Sequence, residues 1–183
     1  MAARLRSPEG VPIGELFTFL SSLYFRGKLA YARAFARPPA GAGDGILVIT
    51  PHLGLQPPAL PITLTGLRAA ARVDIRADNR RYRRPLEETA SVIAARIGPD
   101  TQVVLLGSVA SGKYVDVLTA MFGDRLAFPI EFVGRGDMSR GGLMLRCVTA
   151  GRELAYTPLG PATPRHGPRP PRLERIVRPL AGV

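Results

Sequence analysis

Three short apolar runs constrain the fold of this chain more than any other feature: "ILVIT" at 46–50, "QVVLL" at 102–106 and "LAFPIEFV" at 126–133. Each is too short for an ordinary helix and is bounded by turn residues, the pattern of strands buried on both faces. Segments of helical period separate them. Over 13–36, Leu16, Phe19, Leu20, Leu23, Leu29, Ala30 and Ala34 recur at helical spacing until Pro38 and Pro39 stop the run. Over 82–97, Leu86, Ala90, Ile93 and Ile97 share one face, and Gly98, Pro99 and Asp100 end it. Further helices are expected up to Phe122 and over 143–150, while 64–73 is ambiguous. The alternation implies an α/β protein with parallel strand pairs. Pro129 weakens the third strand, and the prolines of "PHLGLQPPALP" make 51–61 an extended loop at a strand's carboxyl end, where ligands of α/β sheets bind.

A chain of 183 residues with 46% apolar content has enough material for one sizeable core. The expected division is a single domain over 1–158 and an arm over 159–183, because 158–179 holds seven prolines and five arginines. A last helical turn is expected at 173–178. No window approaches the ~18 apolar residues of a membrane span, and the arginines of "MAARLRSPEG" have no apolar run behind them, so a cytoplasmic, membrane-free monomer is expected. One cysteine, Cys147, and two histidines, His52 and His166, leave no disulfide and no cysteine cluster, so neither metal nor cofactor is expected.

The formal charge is +11 and the pI about 11.1, which makes a polyanion, DNA above all, the expected partner. Only Lys28 and Lys113 are lysines; every other basic side chain is arginine. The plainer alternative is a solvated arginine-rich surface.

"GSVASGKY" at 107–114 fits the phosphate-cradling pattern G-x-x-x-x-G-K-[ST] except at Tyr114, whose long phenol cannot put an oxygen where the magnesium ligand belongs. No apolar strand ends cleanly in an aspartate to complete a metal site, so triphosphate hydrolysis is disfavoured. "VVLLGSVASGKYVDVL" instead resembles the strand, glycine turn and helix of the uracil-DNA glycosylase superfamily. In that superfamily the active-site motifs sit at the ends of the first and last core strands, here Thr50 to Leu55 and Gly134 to Gly142. The order agrees over roughly 44–150, although the first motif lacks the usual Asp or Asn and the second lacks its His. The resemblance implies a three-layer sandwich around a central, mainly parallel sheet, and a DNA glycosylase that hydrolyses a base–sugar bond to leave an abasic site. With the uracil-reading residues missing, the base implied is a modified one, as in bacterial anti-phage glycosylases that remove glucosylated hydroxymethylcytosine.

Breaking that bond passes through a cation-like sugar and needs a carboxylate and a proton donor. Asp137 is the leading carboxylate, in a glycine-rich loop between Arg135 and Arg140; its alternative role is to satisfy loop amides or an arginine. His52 orients water or donates to the leaving base, or else caps a turn. Ser108, Ser111 and Lys113 at one helix start, and Arg135, Ser139 and Arg140 at the next, are the phosphate-binding candidates. With no Trp, stacking on a base falls to Tyr24, Tyr114 or Phe132, although aromatic residues such as Tyr24 and Tyr31, seven apart on one helix, fit a buried face equally well. Arg26 and Lys28 are further nucleic-acid contacts, and Asp116 and Glu15 further carboxylates. A non-catalytic nucleic-acid-binding module and an enzyme of free nucleotides remain open beside the glycosylase.

Overall fold

The computed structural model describes residues 1–110, 112–160 and 163–173, leaving out the Ser22 side chain. Ser111 and the helical turn expected past Leu173 lie outside the described residues. The elements in order are α1 (Ala2–Arg6), β1 (Val11–Pro12), α2 (Ile13–Phe35), β2 (Val48–Thr50), β3 (Gly54–Gln56), β4 (Pro61–Ile62), α3 (Leu64–Ala71), α4 (Arg80–Arg96), β5 (Val103–Val104), α5 (Gly112–Phe122), β6 (Leu126–Pro129), α6 (Asp137–Ala150) and β7 (Tyr156–Pro158).

The helices follow the apolar periodicity. The ambiguous stretch at 64–73 resolves into α3, whose first turn is capped by the Thr63 hydroxyl accepting from Gly66 N. The Asn79 side chain caps α4 in the same way, accepting from Arg81 N at 3.1 Å.

The strands depart from expectation. The molecule is mixed α/β, but among the described residues its strands form three small sheets, and parallel pairing is limited to β5 with β6, joined through α5. The third strand of that sheet, β7, runs antiparallel to β6 with Phe128 opposite Thr157. "ILVIT" does not enter a parallel sheet: β2 turns back on itself and pairs antiparallel with β3, Thr50 facing Gly54. The Thr50 hydroxyl holds this turn, accepting from Leu53 N at 3.1 Å and donating to Gly54 O at 2.9 Å. Gly54 has φ +68°, and any Cβ there would collide with Pro85 O. Residues 51–61, expected to lack regular structure, thus contribute a strand. Prolines account for the broken sheet: Pro12 pairs with Pro61, Pro129 ends β6 and Pro158 ends β7, each removing a ladder donor.

The interior is likewise divided. The largest cluster gathers Tyr82, Leu86, Val115, Leu118, Phe122, Leu126 and Phe128; a second packs α1, β1 and the start of α2 around Val11, Ile13 and Leu16; a third joins α2 to α6 through Tyr31, Phe132, Met144 and Cys147. Tyr31 belongs wholly to this interior, its hydroxyl accepting from Leu154 N and lying 2.7 Å from the Tyr156 hydroxyl.

The amino end of α6 overturns another expectation. The helix begins at Asp137, not at Leu143, so "DMSRGG" is its first turns rather than a loop. The glycines that read as a loop signal have a packing reason. A Cβ on Gly27 of α2 would stand 2.7 Å from Gly141 O, and one on Gly141 would stand 2.8 Å from Leu23 O. The two helices cross backbone to backbone there.

After β7 the chain buries Leu159, and residues 163–173 run without helix or strand along α5 and α6. Arg165 meets Asp116 at 3.6 Å, Arg135 donates to Pro171 O at 3.4 Å, and Leu173 approaches Gly142.

Candidate functional site

The first turn of α6 has two functional sides. Asp137, Arg140, Gly141 and Met144, spaced at three, four and seven, face α2; Met138, Ser139 and Gly142 face the arm.

On the arm side lies a cavity of about 350 Å³. Its polar wall is Arg135 and Ser139 from the body and Arg169 and Arg172 from the arm, closed by Gly136, Met138, two prolines and Leu173. Among the described residues no carboxylate lines it. Arg135 is anchored by donating from Nε to Glu131 O at 2.9 Å and from Nη1 to Ser139 Oγ at 3.3 Å. Arg169 and Arg172 have no acidic partner among the described residues, so three guanidinium groups share one concavity at the amide-rich end of a helix.

On the α2 side the groups are fewer and drier. Arg140 is only 8% exposed; it donates from Nε to Phe132 O at 3.2 Å and pairs with Asp137 Oδ1 at 3.4 Å. Arg140, expected to grip an external phosphate, is instead buried, with Nε and Nη1 turned to holding the helix start. The Asp137 side chain is 64% exposed, at the first helical position instead of inside a loop. Across from them, Lys28 Nζ sits 3.9 Å from the Tyr24 ring centroid. Burial brings the Lys28 pKa down to about 8, with Asp137 opposing the shift and Arg140 adding to it. The Tyr24 hydroxyl is buried without a well-formed hydrogen bond among the described residues, and burial pushes its pKa up to about 12 against the opposing pull of Arg140.

The other expected residues lie elsewhere. Tyr114, in the position that would carry a magnesium-binding hydroxyl, donates its phenol to Ser108 O at 2.7 Å and so ties the "GSVASGK" turn to α5. Ser108 Oγ accepts from Ala110 N at 3.4 Å, and Lys113 is exposed on the first turn of α5. Phe132 is 1% exposed and offers no face to a base, which removes it from the stacking candidates; one face of Tyr24 is occupied by Lys28. Asp116 is engaged by Arg165, and Glu15 holds Arg4 through both carboxylate oxygens.

His52 is not brought to Asp137. It lines an apolar cavity of about 180 Å³ with Ile13, Phe17, Thr50 and Leu67, its Nδ1 buried without a partner among the described residues. Phe17 precedes Lys28 on α2 by about 16 Å of helix rise, which separates the two places. The turn that His52 was expected to cap is held by Thr50 instead.

Sequence reasoning misses Arg169 and Arg172 as site residues because an arm of prolines and arginines carries no periodicity to say where it folds back. For Lys28 a signal exists: it is one of two lysines in a chain that otherwise uses arginine. Comparison with protein-family models, with curated proteins and with solved structures returned no match. Among the described residues no group of three or more His, Cys, Asp or Glu is placed to hold a metal ion, and no helix is long and apolar enough to cross a membrane.

Proposed function

We propose that this protein binds the phosphate backbone of nucleic acid across the amino end of α6 and the arm beside it. The observation that carries the reading is the cavity walled by Arg135, Arg169 and Arg172, with no carboxylate among its described lining residues, in a chain of net charge +11. Guanidinium forks match phosphate oxygens, and each phosphate neutralised releases counterions. The test is a salt titration of binding to a labelled oligonucleotide by fluorescence anisotropy. Three arginine contacts give a log–log slope of at least about −2.7 on duplex DNA, so that binding weakens about 40-fold or more between 50 and 200 mM salt. Binding indifferent to salt, or absent at 50 mM, would overturn the reading.

Base excision is the second reading, favoured by one observation: the Asp137 carboxylate is exposed at the edge of this surface, held by Arg140. A carboxylate so placed can stabilise a cation-like sugar. Incubation with DNA containing uracil, damaged bases or hypermodified cytosines, followed by alkali, yields strand breaks on one substrate that disappear in Asp137→Asn. Breaks that persist in the variant exclude Asp137 from the chemistry.

A further inference from the structure

Lys28 stands out twice. In a chain whose basic residues are nearly all arginine, this position and 113 keep lysine, whose proton, unlike an arginine's, burial can bring toward the neutral range. Lys28 is also half-buried, with no hydrogen bond or carboxylate within ion-pair distance among the described residues; the contact that favours its charge at close range is the Tyr24 ring. Its neighbours across the crossing are Arg140, which disfavours a second positive charge, and Asp137, which is already bonded to Arg140. On its own helix the facing group is Tyr24, un-ionised over the whole neutral range. The Gly27–Gly141 crossing brings Lys28 this close to α6.

A neutral amine is a nucleophile for carbonyl carbon. The aldehyde that a phosphate-binding surface would present is the ring-opened sugar at a position of nucleic acid that has lost its base. We propose that Lys28 captures such an aldehyde, borne on a phosphate chain, as an imine, an assignment that rests on the nucleic-acid reading for its ligand. Nζ attacks the aldehyde carbon and the C=O bond opens to a carbinolamine. The nitrogen then loses a proton, the hydroxyl takes one and leaves as water, and the C=N bond remains. The exposed Asp137 carboxylate is within electrostatic reach of Lys28 and can carry that proton.

The test is reductive trapping with cyanoborohydride, which adds hydride to C=N and leaves a stable secondary amine. The full chain is incubated separately with an oligonucleotide bearing one abasic site and with pyridoxal 5′-phosphate, and the adduct is mapped by mass spectrometry. Only Lys28, Lys113 and the α-amino group can be modified, so the map is unambiguous. The expected result is an adduct on Lys28 at least tenfold above the other two amines, its initial rate rising with pH to a plateau above about 8. Lys28→Arg, which keeps the charge, should abolish it. Adducts spread evenly over the three amines, or a Lys28 adduct no faster at pH 8 than at pH 6, overturn the proposal without need of a variant. Anisotropy on the same abasic oligonucleotide separates the two readings. Binding without a Lys28 adduct sinks the imine and leaves the nucleic-acid reading standing. A Lys28 adduct with pyridoxal phosphate, in a chain that does not bind the oligonucleotide, keeps the reactive amine and assigns it a small phosphorylated aldehyde.

Discussion

Gly141→Leu lowers the melting temperature by about 4–8 °C, a net loss of about 2 kcal/mol for a chain of this size. The direction is what makes the result informative. Leucine is a better helix former than glycine by about 0.8 kcal/mol, so a helix with room at this position would gain stability from the change. Here the new side chain must push against Leu23 O and the Tyr24 Cα, both backbone, and α2 has to move away. Gly142→Ala is the matched comparison. Its nearest neighbour would be Leu173 Cδ1 at 3.5 Å, ordinary van der Waals distance, so the propensity gain survives and stability rises by up to about 1 kcal/mol. Thermal unfolding of the two variants reads both signs. Equal effects would mean that α2 and α6 do not cross at Gly27 and Gly141.

Replacing Arg135, Arg169 and Arg172 together by glutamine weakens binding to duplex DNA by about two-thousandfold at low salt. This assigns about 1.5 kcal/mol to each charge-assisted hydrogen bond between a guanidinium and a phosphate. The salt slope becomes shallower by about 2.7. The double variant of Arg169 and Arg172 isolates the arm: neither side chain holds any described part of the fold by a hydrogen bond, so the melting temperature stays put while the slope falls by the share of two phosphates. Arg135 differs, since it also carries hydrogen bonds to Glu131 O and Pro171 O. An unchanged slope in the triple variant moves the phosphate-binding surface off this cavity. The remaining exposed arginines would then carry it.

The helices are readable in the sequence because each buries a face wide enough to leave a period, as with Leu86, Ala90 and Ile93 on α4. The sheets are not, because strand pairing depends on which donors survive. A run such as "ILVIT" looks the same whether it joins a parallel sheet or folds back through a Thr50 turn. The start of α6 is hidden by Gly141 and Gly142, which announce a loop locally and a helix crossing only once α2 is in place. The same limit divides the site. Asp137, Arg135 and Ser139 are legible from one stretch of sequence, but only strand order joins His52 to them, and strand order fails here. Charge alone makes Arg140 a surface residue; its burial depends on Phe132, eight residues back, and on Tyr24 of the distant α2.

Two of the three cavity arginines belong to the arm and one to the body. An anion lodged between them would therefore act as a staple, its affinity and the docking of 163–173 being one linked equilibrium rather than two properties. Whatever strengthens the arm's other clasps, such as the Arg165–Asp116 pair, must tighten the anion by the same factor by which the anion tightens them.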